Sequence, residues 1–418
     1  MNEHTKASAG GCPFSGRGAT FSALYHEGLW DELAEARQEE PVFFSQSDDY
    51  WIVTRYDDVM SILHDHEHFS AENTSDSATP MHADALKIMK DGGFTAEKVQ
   101  SNCDGERHQR IRDVSSKVLN LRAFAALEPK IREFVNEALD RLEGRDTAEL
   151  LSEVTYELPA RVIFQLLGIP EEDMEQVKAW SGTRTTMNFS PSTYDQQIAG
   201  AKDMVDYWQY CVNHVKERID NPRDDLASKL LEIRGGDDNV ITLNELITVF
   251  YGVAFAGHET TTTQMTNALR ALLTYRDQWE AICADPKLIP QAVEEAFRYC
   301  GAVIGWRRRA IQPVEIGGVM LQPGEPVIMS FGSANRDEAQ FPDPHTFDVT
   351  RKNARKHVTM GNGKHVCLGA PLARLEVKIL LEEITRRFPG LRLIEDAPVS
   401  HVKTFVFNAS ESLHVRLR

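Results

Sequence analysis

Cys367 sits in the run Met360-Gly361-Asn362-Gly363-Lys364-His365-Val366-Cys367-Leu368-Gly369, and a helix is expected directly after it. Closely spaced glycines let a backbone approach a flat surface that side chains would hold away. A cysteine just before a helix start sits in a positive backbone field, which favours thiolate over thiol. A thiolate offered from a flat, glycine-lined loop suits axial ligation of haem iron. The same residues also read as an ordinary turn or an anion site, with the cysteine as inert packing.

A second group lies upstream. Ala256-Gly257-His258-Glu259-Thr260-Thr261 falls inside a proline-free stretch from Thr242 to Tyr275. Thr242 and Glu245 form a T-x-x-E capping box at its start. One unbroken helix is therefore expected, on the order of 45–50 Å long at 1.5 Å per residue. Glycine inside a helix costs roughly 1 kcal/mol against alanine, so Gly257 points to a packing or ligand constraint. Glu259 beside Thr260 sets an acid next to an alcohol, a pair that can loosen the helical ladder and relay protons through water. The plainer reading has Glu259 facing solvent and Thr260 capping a kink. Further on, Glu295 and Arg298 lie three apart on a helix opened by Pro290 and closed at Gly301. Taken alone they read as a surface pair.

Together these segments resemble the cytochrome P-450 superfamily. The cysteine loop is similar to Phe-Gly-x-Gly-x-His-x-Cys-x-Gly, with Met360 where the family usually carries Phe. Methionine is apolar and adaptable, so altered tuning of the ligand sulfur is expected rather than loss of haem. The mid-helix run resembles the oxygen-activation motif Ala/Gly-Gly-x-Asp/Glu-Thr, and Glu295–Arg298 resembles the Glu-x-x-Arg signature that supports the haem loop. Many members complete that signature with Arg or His in Pro-x-Arg-Phe. Here Pro344-His345-Thr346-Phe347 carries Thr346 at that place, with His345 as a possible substitute.

The resemblance implies a mainly α fold with a minor β portion: a single large haem domain over 21–418, after a flexible tail at 1–20. Haem b (iron protoporphyrin IX) would lie between a long central helix and the cysteine loop with its C-terminal helix. Cys367 would be the axial thiolate and metal ligand, and Ala256 would lie against the cofactor. His108, Arg112, Arg308 and His365 match family positions that answer the two propionates, which need cationic or donor partners when partly buried. For Arg308 the register also admits Arg307 or Arg309. The implied activity is that of a monooxygenase using O2, with Thr260 holding the dioxygen network and Glu259 helping to deliver protons. A peroxide-driven hydroxylase and a non-catalytic haem sensor or carrier are the alternatives; the intact Glu259-Thr260 pair disfavours both.

Residues 351–378 carry Arg351, Lys352, Arg355, Lys356, Lys364, Arg374 and Lys378 against the single acid Glu376. Such a patch suits docking of an acidic electron donor, a ferredoxin or flavodoxin with its reductase, and Arg107 and Arg110 are expected to extend it. No flavin or iron–sulfur segment is expected after the last strands. Segments 70–103 and 178–205, Ala302-Val303-Ile304 and Thr404-Phe405-Val406-Phe407 fall where this fold contacts substrate. They are largely apolar or small, which suggests a modest hydrophobic ligand. The stretches Ile282-Cys283-Ala284-Asp285-Pro286 and Trp306-Arg307-Arg308 are similar to haem domains of self-sufficient bacterial members, which often oxidise small aromatic or xenobiotic compounds.

The elements that must position these residues follow from patterning. Residues 41–56 read as two strands around a polar turn, with a helix at 57–64; 70–103 read as irregular. Helical periodicity runs from His108 to about Gly168, resumes at Pro170, and reaches about Asp220 with a break at Ser190-Pro191. Val314–Ile316 and Val319–Leu321 flank Gly317-Gly318 as a hairpin. The chain is 42% hydrophobic and 26% charged, a globular composition, with no run of about eighteen apolar residues to span a membrane. Six scattered cysteines without a CxxC pair fit a reducing cytoplasm. A net charge of −17 argues against general nucleic-acid binding.

Overall fold

Alternating β-formers at 42–45 and 50–53 pair as an antiparallel hairpin, Val42 opposite Val53 and Ser45 opposite Tyr50, and Asp49 takes the left-handed conformation (φ 57°) at its turn. In the computed structural model, which describes residues 17–18, 21–23, 28–394, 400–402, 404 and 406–418, this hairpin edges a five-stranded sheet. Tyr50–Val53 runs parallel to Pro326–Met329, which is antiparallel to Trp306–Ala310, with Phe69–Ser70 at the far edge. The 314–321 hairpin forms as expected, Ile316 opposite Val319, with both turn glycines at positive φ.

Helix dominates, at 56% against 10% strand, in one domain. Seven helices frame the site: α1 (Gly105–Val118), α2 (Leu158–Leu167), α3 (Met174–Phe189), α4 (Leu243–Ala256), α5 (Glu259–Thr274), α6 (Ile289–Cys300) and α7 (Ala370–Arg387). They bury the largest apolar cluster, including Trp208, Phe250, Trp279 and Phe297, while two smaller clusters flank the sheet. The tail expected at 1–20 lies, save for 17 and 18, outside the described residues, as does Phe405.

Two expectations need correcting. The 70–103 segment is not wholly irregular: Ala83–Asp91 is a helix capped by the His82 side chain. Ala85, Leu86, Ile88 and Met89 give it a short apolar stripe, of which only Ala85 is buried, too brief over nine residues to stand out in a polar segment. The capping box at Thr242 and Glu245 is present, but the long helix is interrupted at Gly257-His258 and splits into α4 and α5. His258 Nδ1 lies 2.9 Å from the Ala254 carbonyl, and Thr260 Oγ1 donates to the Ala256 carbonyl (3.3 Å). Side chains that engage helix carbonyls in this way bend the ladder.

Candidate functional site

A cavity of about 330 Å³ opens between the α4–α5 break and the cysteine loop. Ala256, Thr260, Arg112, Arg308, His365 and Cys367 all line it. Gly361 (φ 66°) and Gly363 (φ 68°) hold the left-handed turns of the loop, and a Cβ on Gly363 would stand 2.8 Å from the Leu63 carbonyl oxygen. The Cys367 N–H donates to the Met360 carbonyl (2.9 Å), so Met360 ties the loop through its backbone whatever its side chain. Cys367 is exposed and lines the cavity. Burial raises its pKa, against the pull of the Gly369 and Ala370 backbone and of Arg112. The helix start does pull towards thiolate, as expected, but burial outweighs it; a coordinated cation would reverse the balance, because it deprotonates its thiol ligand outright.

The four residues matched to propionates converge at the loop. Arg308 is buried at 3% exposure, donates to the Arg307 carbonyl (2.7 Å), and has no carboxylate at ion-pairing distance among the described residues. Burial lowers its pKa to about 10. Arg307, by contrast, is bound to the Asp76 and Asn188 carbonyls, and Arg309 is an exposed donor to Gly324. His108 on α1 is buried, and its Nε2 lacks a partner. Burial first, then the charges of His365 and Arg112, lower its pKa to about 4. Its ring centroid lies 4.2 Å from that of His365. Arg112 Nη2 donates to the Val366 carbonyl (2.6 Å). His365 is held by the Gln100 carbonyl (3.1 Å) and by Asp104 (3.7 Å), two partners that carry no local signal in the sequence. An orphaned imidazole and an uncompensated buried guanidinium beside an apolar cavity are the environment two ligand carboxylates would complete.

At the helix break, Thr260 and Ala256 face the cavity but Glu259 does not line it. Glu259 Oε1 lies 3.1 Å from His258 Nε2, which is also 2.9 Å from Ser181 Oγ of α3. Burial pushes the Glu259 pKa up, but the His258 hydrogen bond and the Lys178 charge outweigh it and hold it below the ordinary value. Lys178 is itself buried, donates to the Tyr156 carbonyl (2.6 Å), and has its pKa lowered by desolvation to about 8. Gly257 serves packing: a Cβ there would overlap Ile163 of α2.

On the cysteine side the Glu295–Arg298 pair is fully buried rather than a surface pair. Arg298 Nε and Nη2 each donate to the carboxylate at 2.7 Å, Nη1 donates to the carbonyls of Asn335 and Pro344, and Nη2 also to that of Thr346. The third member is Arg351, whose Nε donates to Glu295 Oε1 (3.1 Å). His345, the expected substitute, is half exposed beside Glu338 instead. Arg351 thereby leaves the basic patch. Arg374 pairs with Glu294, Lys378 with Glu382, and both Arg107 and Arg110 with Glu245. The exposed cations of the patch contract to Lys352, Arg355, Lys356 and Lys364, of which Arg355 also lies 3.7 Å from Glu294.

Of the segments expected to contact substrate, Ser75, Val99, Gln100, Ser101, Ala302 and Val303 line the cavity. Ile304, Val406 and Phe407 instead join the cluster against the sheet, and Thr404 Oγ1 bonds the Phe189 carbonyl. From 178–205 only Arg184 reaches the cavity.

A fold of this plan, with a cysteine loop facing a broken helix across a cofactor-sized cavity, defines a haem-thiolate protein. The cytochrome P450 family model matches residues 18–406. The mycinamicin IV hydroxylase/epoxidase of Micromonospora griseorubida is 33% identical over 88% of this chain and 89% of that protein. The structure of cytochrome P450 CREJ in complex with (4-ethylphenyl) dihydrogen phosphate superposes with a TM-score of 0.93 at 37% identity, covering 96% of this chain and all of that one. An intact type IV self-sufficient cytochrome P450 monooxygenase gives 0.93 at 34% identity over 97% of this chain and 54% of the longer one. The chain belongs to the cytochrome P450 family and is a P450 monooxygenase. As such it uses haem with a cysteine thiolate ligand, O2 and a redox partner. Among the described residues no helix is long and apolar enough to cross a membrane.

Proposed function

We propose that Cys367 is the axial ligand of haem b and that His108, Arg112, Arg308 and His365 hold its propionates. The observation that carries this reading is the pairing of an orphaned His108 Nε2 with an uncompensated, buried Arg308 beside the cavity that Cys367 faces. When bound, the haem supplies dioxygen binding and the oxidising power. The chain supplies the rest. Ala256 and the α4 backbone leave room for a small diatomic, and Thr260 offers a hydroxyl to the cavity. Glu259, held by His258 and Lys178 away from the cavity, passes protons inward past Thr260. Electrons come from an acidic ferredoxin or flavodoxin docking on Lys352, Arg355, Lys356 and Lys364, in the cytoplasm. The substrate is a small organic molecule of largely hydrophobic body, a description that also fits the aromatic ligand of the CREJ complex, and the reaction is hydroxylation or O- or N-dealkylation.

Turnover with a ferredoxin–reductase pair under ¹⁸O2 is expected to place one labelled oxygen in product. Product formed only with added peroxide, or without label, would overturn the reading. Thr260→Ala is expected to keep substrate-dependent oxygen consumption while most of the flux goes to peroxide instead of product; undiminished coupling removes Thr260 from proton delivery.

A further inference from the structure

One cation lining the cavity is left unused by these assignments. Arg112, Arg308 and His365 gather at the cysteine loop, whereas Arg184 enters from α3. Its guanidinium carbon lies 4.3 Å from the Tyr251 ring centroid and 4.6 Å from that of Phe255. Two aromatic faces of α4 thus fix the group by cation–π contact. Its hydrogen bond to the chain is a long one, 3.4 Å to the Tyr251 carbonyl. No carboxylate lies at ion-pairing distance among the described residues, so most of its five N–H donors are unpaired. Lys178, on the same helix, differs: it is bound to the Tyr156 carbonyl and acts on Glu259. The part of the cavity wall that α4 supplies beside these rings is apolar, with Val249, Gly252, Val253 and Phe255 in the lining. A guanidinium held at an apolar wall with free donors is a recognition element for planar or tetrahedral oxyanions.

We propose that Arg184 is the specificity-determining residue of the substrate site and that the preferred substrates are amphipathic, with a body of aromatic size carrying one phosphate or carboxylate group seated on that guanidinium. The proposal rests on the reading of this cavity as the substrate site and deepens it from a hydrophobic ligand to an anionic one.

The test is spectroscopic titration of the haem-loaded enzyme by the low- to high-spin shift. The probes are 4-ethylphenyl phosphate, 4-ethylbenzoate and neutral 4-ethylphenol, on the wild type, Arg184→Gln and Arg184→Lys. In the wild type at low salt at least one anion is expected to bind about tenfold or more tighter than the phenol, a ratio typical of a charged hydrogen-bonded group. Added salt should erode that ratio. Arg184→Gln should abolish it while leaving the phenol within about twofold, and Arg184→Lys should keep part of it. A benzoate that matches the phosphate assigns carboxylates as well; a gain confined to the phosphate assigns phosphate esters alone. Equal affinity of the wild type for all three probes, or an Arg184→Gln loss that is the same for charged and neutral probes, overturns the proposal. If Arg184→Gln does not load haem, the wild-type salt series decides. Failure of the wild type to give a thiolate carbonyl spectrum would count against the haem reading, not against Arg184.

Discussion

Glu295 on the cysteine side and Arg184 on the opposite helix are both polar groups near the same cavity, yet their surroundings differ completely. Glu295 is at 0% exposure, and its oxygens accept from Arg298, Arg351 and the Asp348 N–H. Arg298 in turn satisfies three carbonyls. Such a network is stable only when complete, because removal of one member strands a buried charge. Arg184 across the cavity, and Arg308 and His108 at the cysteine loop, keep donors or ring nitrogens without partners among the described residues. At this cavity the Glu295 network closes on partners within the chain, whereas Arg184, Arg308 and His108 leave valences open for a ligand.

That comparison breaks most sharply at Arg298. Arg298→Met is expected to cost about 3–5 kcal/mol, the range for breaking a buried pair, with loss of soluble haem-loaded protein. Urea denaturation of the apoprotein measures it, and a cost below about 1 kcal/mol would mean the network is not structural. Arg308→Met should act in the opposite sense on the two forms. Removing an uncompensated buried cation is expected to stabilise the apoprotein by about 1–2 kcal/mol, while haem transfer to apomyoglobin becomes faster. Unchanged haem loss would remove Arg308 from the cofactor site.

A smaller and pH-dependent effect is expected at Glu294. Burial raises its pKa, but His357 and Arg374 bring it down to about 2 from an ordinary 4.5. A depressed carboxylate stabilises the native state above its unfolded pKa, and that contribution is lost as pH falls from about 4.5 towards about 2. Glu294→Gln should therefore destabilise by on the order of 2 kcal/mol at pH 7, after allowance for solvent screening. The gap to the wild type should narrow below pH 4.5 and close only near pH 2, as thermal melts across pH would show. A gap independent of pH would mean that shape, not charge, matters at this position.

How much was legible depended on whether partners were close in sequence. The cysteine loop, Thr260, Ala256 and the Glu295–Arg298 pair could be read because each motif is one turn or one loop, where residue type and spacing fix geometry. Arg351 could not, because its carboxylate lies 56 positions away, and locally it looked like one more surface cation. The same holds for Lys178 and Ser181, which reach the helix break from α3 with no local signal. His258 lay in plain view inside the motif, at the position the motif leaves free. The break itself defeated the argument from a proline-free stretch, since no proline marks it and side-chain bonds to the Ala254 and Ala256 carbonyls interrupt the ladder instead. Arg184 had no signature at all, as its meaning comes from rings on another helix and a wall of apolar neighbours.

The central claim is that the Cys367 sulfur ligates the haem iron, and the carbonyl complex of the reduced protein tests it directly. Wild type is expected to show the red-shifted absorption of thiolate-bound ferrous haem, and Cys367→Ala, folded by circular dichroism, is expected to lack it. Persistence of that band in Cys367→Ala, or its absence from the wild type, would contradict the account.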